Sequence, residues 1–129
     1  VDGKYTQEQK DLINHLREVL RLTHALLKPG MTGRELDVPG RQYYEKHGLM
    51  KYLVCPFVHS IGLMEAESPF FGPNGDFPLA PGMTVMVDVS FFGHPKLYGG
   101  RIETGFEITE TGSKPLSPKM FEYFMKDLT

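Results

Sequence analysis

The sequence predicts an α+β fold, helices packed on a curved antiparallel sheet, and three observations carry that prediction. Apolar residues recur at helical spacing from Leu12 to Leu27. Two later stretches, 84–92 and 99–109, alternate apolar and polar residues with the period of two that marks a strand. The 14 glycines and 10 prolines of the 129-residue chain gather largely between such segments, where they act as turns.

The elements follow in order. Residues 1–5 read as a loose lead-in. Thr6 is placed to cap a helix, with Glu8 and Gln9 in the first turn, where a carboxylate suits the positive end of the helix dipole. Leu12, Ile13, Leu16, Val19, Leu20, Leu26 and Leu27 form its apolar stripe, and Lys28-Pro29-Gly30 stops it, so the helix is expected over 7–27. Thr32-Gly33-Arg34-Glu35 matches a capping box, and a second helix is expected from there to His47, ended by Gly48. Pro39 lies inside that helix. It removes a backbone donor and predicts a kink or a detached first turn.

Short strands are expected over 51–55 and 58–63. Residues 65–81 read as loop, broken by Pro69, Gly72, Pro73, Asn74, Gly75, Pro78 and Pro81; so long an irregular stretch in a small chain points to function. In the 84–92 strand Val85, Val87, Val89 and Phe91 share one face, and Met86, Asp88 and Ser90 the other. In the 99–109 strand Ile102, Phe106 and Ile108 take the apolar parity, and Arg101, Glu103 and Glu107 the polar one. Residues 93–98 connect the two. Ser117-Pro118 opens a C-terminal helix, with Ser as N-cap and Pro in the first turn.

Composition limits what such a chain does. The length suits one domain. Fourteen basic against sixteen acidic residues give a net charge of -2, which excludes the basic stripe of a nucleic-acid binder. Hydrophobic residues at 40% and charged residues at 23% fit a globular chain rather than a disordered one. Cys55 is the single cysteine, so no disulfide forms within the chain and a reducing, cytoplasmic setting is expected. No apolar run approaches the ~18 residues of a membrane span, so no membrane partner is expected. The first residue is Val1 rather than Met, which suggests a processed chain or a fragment.

The chemistry gathers on the hairpin. If 93–98 is the connection, Phe92 opposes Gly99 and Asp88 opposes Glu103, both on the polar face with Cβ atoms about 5 Å apart. Directly opposed like charges need a proton, a basic side chain or a metal ion. Two arrangements meet that need: a solvated face with Arg101 compensating, or a cation site. His59 adds an imidazole in a buried-looking strand, and one imidazole with two carboxylates suits Mn, Co, Fe or Zn. The other histidines read as structural: His15 and His24 on the first helix, His47 in the last turn of the second, His94 in the connection. Cys55 lacks a CxxC partner and reads as a small buried residue. The methionines, Met83 and Met86 among them, read as packing residues.

Four blocks then agree in order and spacing with one known family. Lys28-Pro29-Gly30-Met31-Thr32 is a turn between helices. His59-Ser60-Ile61-Gly62-Leu63 is followed by Glu67 and Pro69. Pro81-Gly82-Met83 stands ahead of Asp88, and Gly100-Arg101-Ile102-Glu103 ahead of Thr109-Glu110-Thr111-Gly112 and Leu116. These resemble the motifs of the pita-bread metallopeptidases, the group of aminopeptidase P, prolidase (Xaa-Pro dipeptidase) and methionine aminopeptidase, to which creatinase is related. The likeness spans nearly the whole chain and is greatest for the aminopeptidase P and prolidase branch.

The resemblance implies a pita-bread fold of two pseudo-symmetric halves and a centre of two divalent ions held by two Asp, one His and two further acidic residues. His59, Asp88 and Glu103 match the last three, with Asp88 also assisting as catalytic base. Glu67 and Arg101 are implied as substrate-binding residues. The two Asp ligands belong before Val1, so the 129 residues are expected to be the C-terminal part of a catalytic domain and inactive alone. The full-length protein is expected to be a homodimer acting on a small peptide or amide. Two departures stand out: Asp88 replaces the usual Glu, and Ala66 replaces the family's second His. They leave open a creatinase-like hydrolase that is not a peptidase. A degenerate pita-bread binding module is a further reading, which the retained His59, Asp88 and Glu103 oppose.

Overall fold

The computed structural model describes residues 3–129, so the expected lead-in lies partly outside the described residues. Helix α1 spans Gln7–His24 and α2 spans Gly33–Lys46. Strands β1 (Val58–Ser60), β2 (Glu67–Phe70), β3 (Thr84–His94), β4 (Tyr98–Ile108) and β5 (Ser113–Pro115) follow, and α3 (Pro118–Phe124) closes the order. The strands form one antiparallel sheet in the order β2-β1-β3-β4-β5.

Local chemistry explains the helix starts. Thr6 accepts from the Gln9 amide while the Gln9 side chain accepts from the Thr6 amide, and Thr32 and Glu35 do the same at α2. Each box satisfies two amides that a helix start leaves unpaired. α2 runs unbroken through Pro39, so the expected detached turn does not form. α1 ends three residues earlier than expected, because Leu26 and Leu27 donate back to Thr23 and His24 in tighter turns. α3 starts at Pro118 as expected, but the Ser117 side chain makes no capping hydrogen bond.

The core lies between α1 and the face of the sheet formed by Val85, Val87, Val89, Phe91, Ile102, Phe106 and Ile108. Leu12, Leu16, Val19 and Leu20 of α1 cover it, and Leu36 and Tyr44 of α2 extend it toward Phe57. Each such side chain contributes about 1.5–3 kcal/mol when fully buried.

Three expectations about strands change. Residues 51–55 are not a strand. Gly48 turns left-handed (φ 67°), Leu49 donates back to Tyr44, and Met50–Tyr52 forms a single 3-10 turn. Bonds to the residue three back use its amides, and Tyr52 sets its ring 4.6 Å from that of Phe91. The 58–63 strand stops at Ser60, because the Gly62 amide turns to Met64 instead of a neighbouring strand. The 65–81 segment is less irregular than expected. It contains β2, an edge strand that tolerates Pro69, and it is held by Gly30 N–H to Leu79 O and Leu79 N–H to Met31 O, each 2.8 Å. Phe71 and Leu79 are buried there. Among the described residues no helix is long and apolar enough to cross a membrane.

Candidate metal centre

The hairpin register places Asp88 opposite Glu103 and Phe92 opposite Gly99, as the sequence predicts. The alternation that sends Val87 and Val89 into the core sends Asp88 and Ser90 to the other face of the sheet. β1 lies on the far side of β3 and sets His59 opposite Met86. His59 therefore shares a face with Asp88, which stands two residues along β3. Ligating atoms of His59, Asp88 and Glu103 all lie within 4.8 Å of one another. His59 and Asp88 are buried and Glu103 is half-buried.

His59 Nδ1 is 3.1 Å from the Ser60 carbonyl oxygen. A carbonyl only accepts, so Nδ1 carries a hydrogen, and in the neutral ring Nε2 presents its lone pair. Nε2 is 3.3 Å from Glu103 Oε1, an oxygen that is buried and has no hydrogen-bond partner. Two electron-rich atoms thus face each other, and a proton or a cation between them relieves the contact. The donor chemistry and the orphaned oxygen both fit a divalent ion.

Arg101 stands beside this group. Its Nη2 is 3.0 Å from Asp88 Oδ2, 2.7 Å from Glu103 Oε2 and 3.3 Å from Glu65 Oε1. Burial works against the guanidinium charge, but the Asp88 and Glu103 carboxylates outweigh it and raise the pKa of Arg101. The compensating cation considered from the sequence is therefore in place, on the same carboxylates that with His59 could hold a metal ion.

Glu67, expected at the substrate, opens β2 opposite Ser60. Its Oε2 accepts from the Met64 amide at 3.3 Å, and Gly62 leaves room for its carboxylate. It is not among the three grouped ligating residues. Three neighbours escaped the sequence reading. Ser90 Oγ donates to Asp88 Oδ1 at 2.7 Å, Cys55 Sγ lies 3.9 Å from Asp88 Oδ2, and Glu65 pairs with Arg101. Ser90 shares the parity of Asp88, a signal that was there to use. Cys55 and Glu65 reach the site only through the turns before β1 and before β2, which leave no periodic signal. Burial pushes the Cys55 thiol up, and the nearby Asp88 adds to this against the opposing Ser90 hydrogen bond. Of the remaining histidines, His15 Nδ1 meets Tyr43 Oη at 2.9 Å, His47 stacks on Tyr43, His24 packs between Phe106 and Phe121, and His94, expected in the connection, ends β3 and accepts from the amides of Lys96 and Leu97.

Residues 1–110 match metallopeptidase family M24. The chain belongs to this family. Peptidases of family M24 generally depend on divalent metal. The chain is 31% identical over 117 residues to an Xaa-Pro dipeptidase of Pyrococcus furiosus, covering 91% of this chain and 33% of the relative. It superposes on a solved prolidase from Pyrococcus furiosus with a TM-score of 0.81 at 28% identity, over all of this chain and 36% of that one. An Xaa-Pro dipeptidase from Bacillus anthracis gives a TM-score of 0.81 at 31% identity, over 90% of this chain and 33% of that one. The fold is the pita-bread fold, as the sequence motifs imply. The chain spans about a third of the length of the relatives it matches.

Proposed function

We propose that this M24 chain is the C-terminal part of the catalytic domain of a metal-dependent hydrolase acting on peptide or amide bonds, of the Xaa-Pro dipeptidase or aminopeptidase P type. His59, Asp88 and Glu103 are its metal ligands. The observation that carries this reading is the buried, unpartnered Glu103 Oε1 facing the lone pair of His59 Nε2, with Asp88 on the same face. The family resemblance adds two Asp ligands from outside these residues and two ions of Mn, Co, Fe or Zn. A bound ion supplies Lewis-acid activation of water at the scissile carbonyl.

The chain's own residues act around that site. The Ser60 carbonyl fixes the His59 ring so that Nε2 faces the ligands. Asp88 serves as the base that accepts the proton of the attacking water. Arg101 balances the acidic pair, and with Glu67 is the candidate for orienting the charged ends of a small peptide. A cytoplasmic setting, supported by the lone Cys55, and a homodimeric full-length form belong to the same reading.

The test is metal content and turnover of the full-length protein. At least one equivalent of Mn, Co, Fe or Zn is expected after reconstitution, with hydrolysis of Xaa-Pro dipeptides and loss of both in His59→Ala. Less than one equivalent, or unchanged metal in that variant, overturns the ligand assignment. The 129 residues alone are expected to show no turnover.

One arrangement favours a second reading, a creatinase-like hydrolase working without metal. Arg101 already pairs with both carboxylates and offsets part of their charge, and Ala66 stands where the family places its second His. Turnover of small guanidino or amide substrates in the presence of a chelator, with none of Xaa-Pro dipeptides, establishes that reading instead.

A further inference from the structure

Asp88 is one methylene shorter than the glutamate its position resembles, so the aim of its carboxylate depends on fewer torsions and more on its partners. Its two oxygens have different surroundings. Oδ1 accepts from Ser90 Oγ at 2.7 Å, and Oδ2 faces Arg101 at 3.0 Å. Ser90 is 2% exposed and is itself held on two sides: Tyr44 Oη donates to its carbonyl oxygen at 2.8 Å, and Cys55 Sγ lies 3.6 Å from its hydroxyl. The Cys55 thiol stands between the Ser90 hydroxyl and Asp88 Oδ2, which is 3.9 Å from Sγ, and its one hydrogen serves either acceptor. Side chains two apart on a strand stand about 7 Å apart at their bases. The short Ser90–Asp88 bond therefore means that the carboxylate leans along β3.

We propose that Ser90 is a positioning residue that commits Asp88 Oδ1 and so offers a single oxygen, Oδ2, to a divalent ion at the His59–Asp88–Glu103 group. A serine at this place offsets the missing methylene: it fixes in direction what the shorter side chain loses in reach. Cys55 and Tyr44 act through Ser90, each holding it from a different element. The inference rests on the ligand assignment proposed above.

Cobalt(II) titration of the full-length protein, read by the visible absorption of the bound ion and by competition with a chelator, tests it. The variants are Ser90→Ala and the shape-matched pair Ser90→Thr and Ser90→Val, which differ only in keeping or losing the hydroxyl. Losing a partner that orients a metal ligand costs roughly 10- to 100-fold in affinity. Ser90→Ala and Ser90→Val are therefore expected to bind cobalt(II) that much more weakly, with an altered absorption band, while Ser90→Thr stays near the parent. Equal affinity and equal spectra for the threonine and valine variants overturn the role of Ser90. The ligand assignment fails separately, and takes this inference with it, if the parent binds no cobalt(II) or if His59→Ala binds it as tightly as the parent.

Discussion

Arg101 shows at the residue scale how an acidic pair is made tolerable. It holds Asp88 and Glu103 at hydrogen-bond distance, and opposed like charges across a ladder are otherwise unfavourable. Arg101→Met is expected to lower the melting temperature in a chelator. Added cobalt(II) or manganese(II) is expected to raise it more in the variant than in the parent. Equal metal-induced shifts in thermal unfolding show that an ion does not take over the charge balance. His24 supplies a pH dependence. It is wedged between the rings of Phe106 and Phe121, at 5.1 and 4.6 Å, and burial lowers its pKa from the ordinary 6.5. The folded chain thus resists protonating it more than the unfolded chain does. The stability linked to its neutral form is present above 6.5 and is lost as pH falls from there through the lower folded value. Melting followed from about pH 7.5 to about pH 5.5 is expected to show this fall, and His24→Leu to flatten it. His15 adds in the same direction, lowered by burial and by His47 against the pull of Asp11.

At the scale of elements, the start of α2 is pressed against the segment after β2. A Cβ on Gly33 would lie 2.8 Å from Phe71 Cα and 2.9 Å from the Gly72 oxygen. These are backbone atoms that no side-chain rotation moves. Gly33→Ala is expected to destabilise by about 1–3 kcal/mol in urea unfolding, as overpacking does. The capping box at Thr32 and Glu35 would still form in that variant, so the loss would report the contact and not the cap. This contact also holds the 65–81 segment, which carries Glu65 to Arg101 and Glu67 to the turn after His59.

The whole molecule is closed by its C-terminal segment returning to α1. Arg17, 2% exposed, donates to the Lys126 carbonyl and lies 4.8 Å over the Tyr123 ring. Asn14 exchanges hydrogen bonds with Leu128, and Arg21 pairs with Asp127 at 2.6 Å. Removing residues 126–129 strips Arg17 of that acceptor, and a hydrogen bond to a charged group is worth about 1.5–3 kcal/mol. A loss of that order in chemical denaturation is expected, with metal affinity unchanged, because the segment lies on the core side of the sheet and the ligands on the other.

What the sequence determined by itself was whatever depends on neighbours close along the chain. The box of Thr32 and Glu35 spans three residues. The parity that separates Val87 from Asp88 is a period of two. The register that opposes Asp88 to Glu103 follows from a short connection, and the motif around His59 is contiguous. The rest was set by packing between segments distant in the chain. β2 and β5 are four and three residues long and become strands because β1 and β4 offer them an edge. Met50–Tyr52 turns as a 3-10 element, in place of the strand expected over 51–55, because local amides and the Phe91 ring satisfy it better than a strand would. The approach of His59 Nε2 to Glu103 Oε1, and of Cys55 to Ser90, joins residues far apart in sequence. Such contacts are set by how sheet and turns pack, and packing leaves no period in the chain to read.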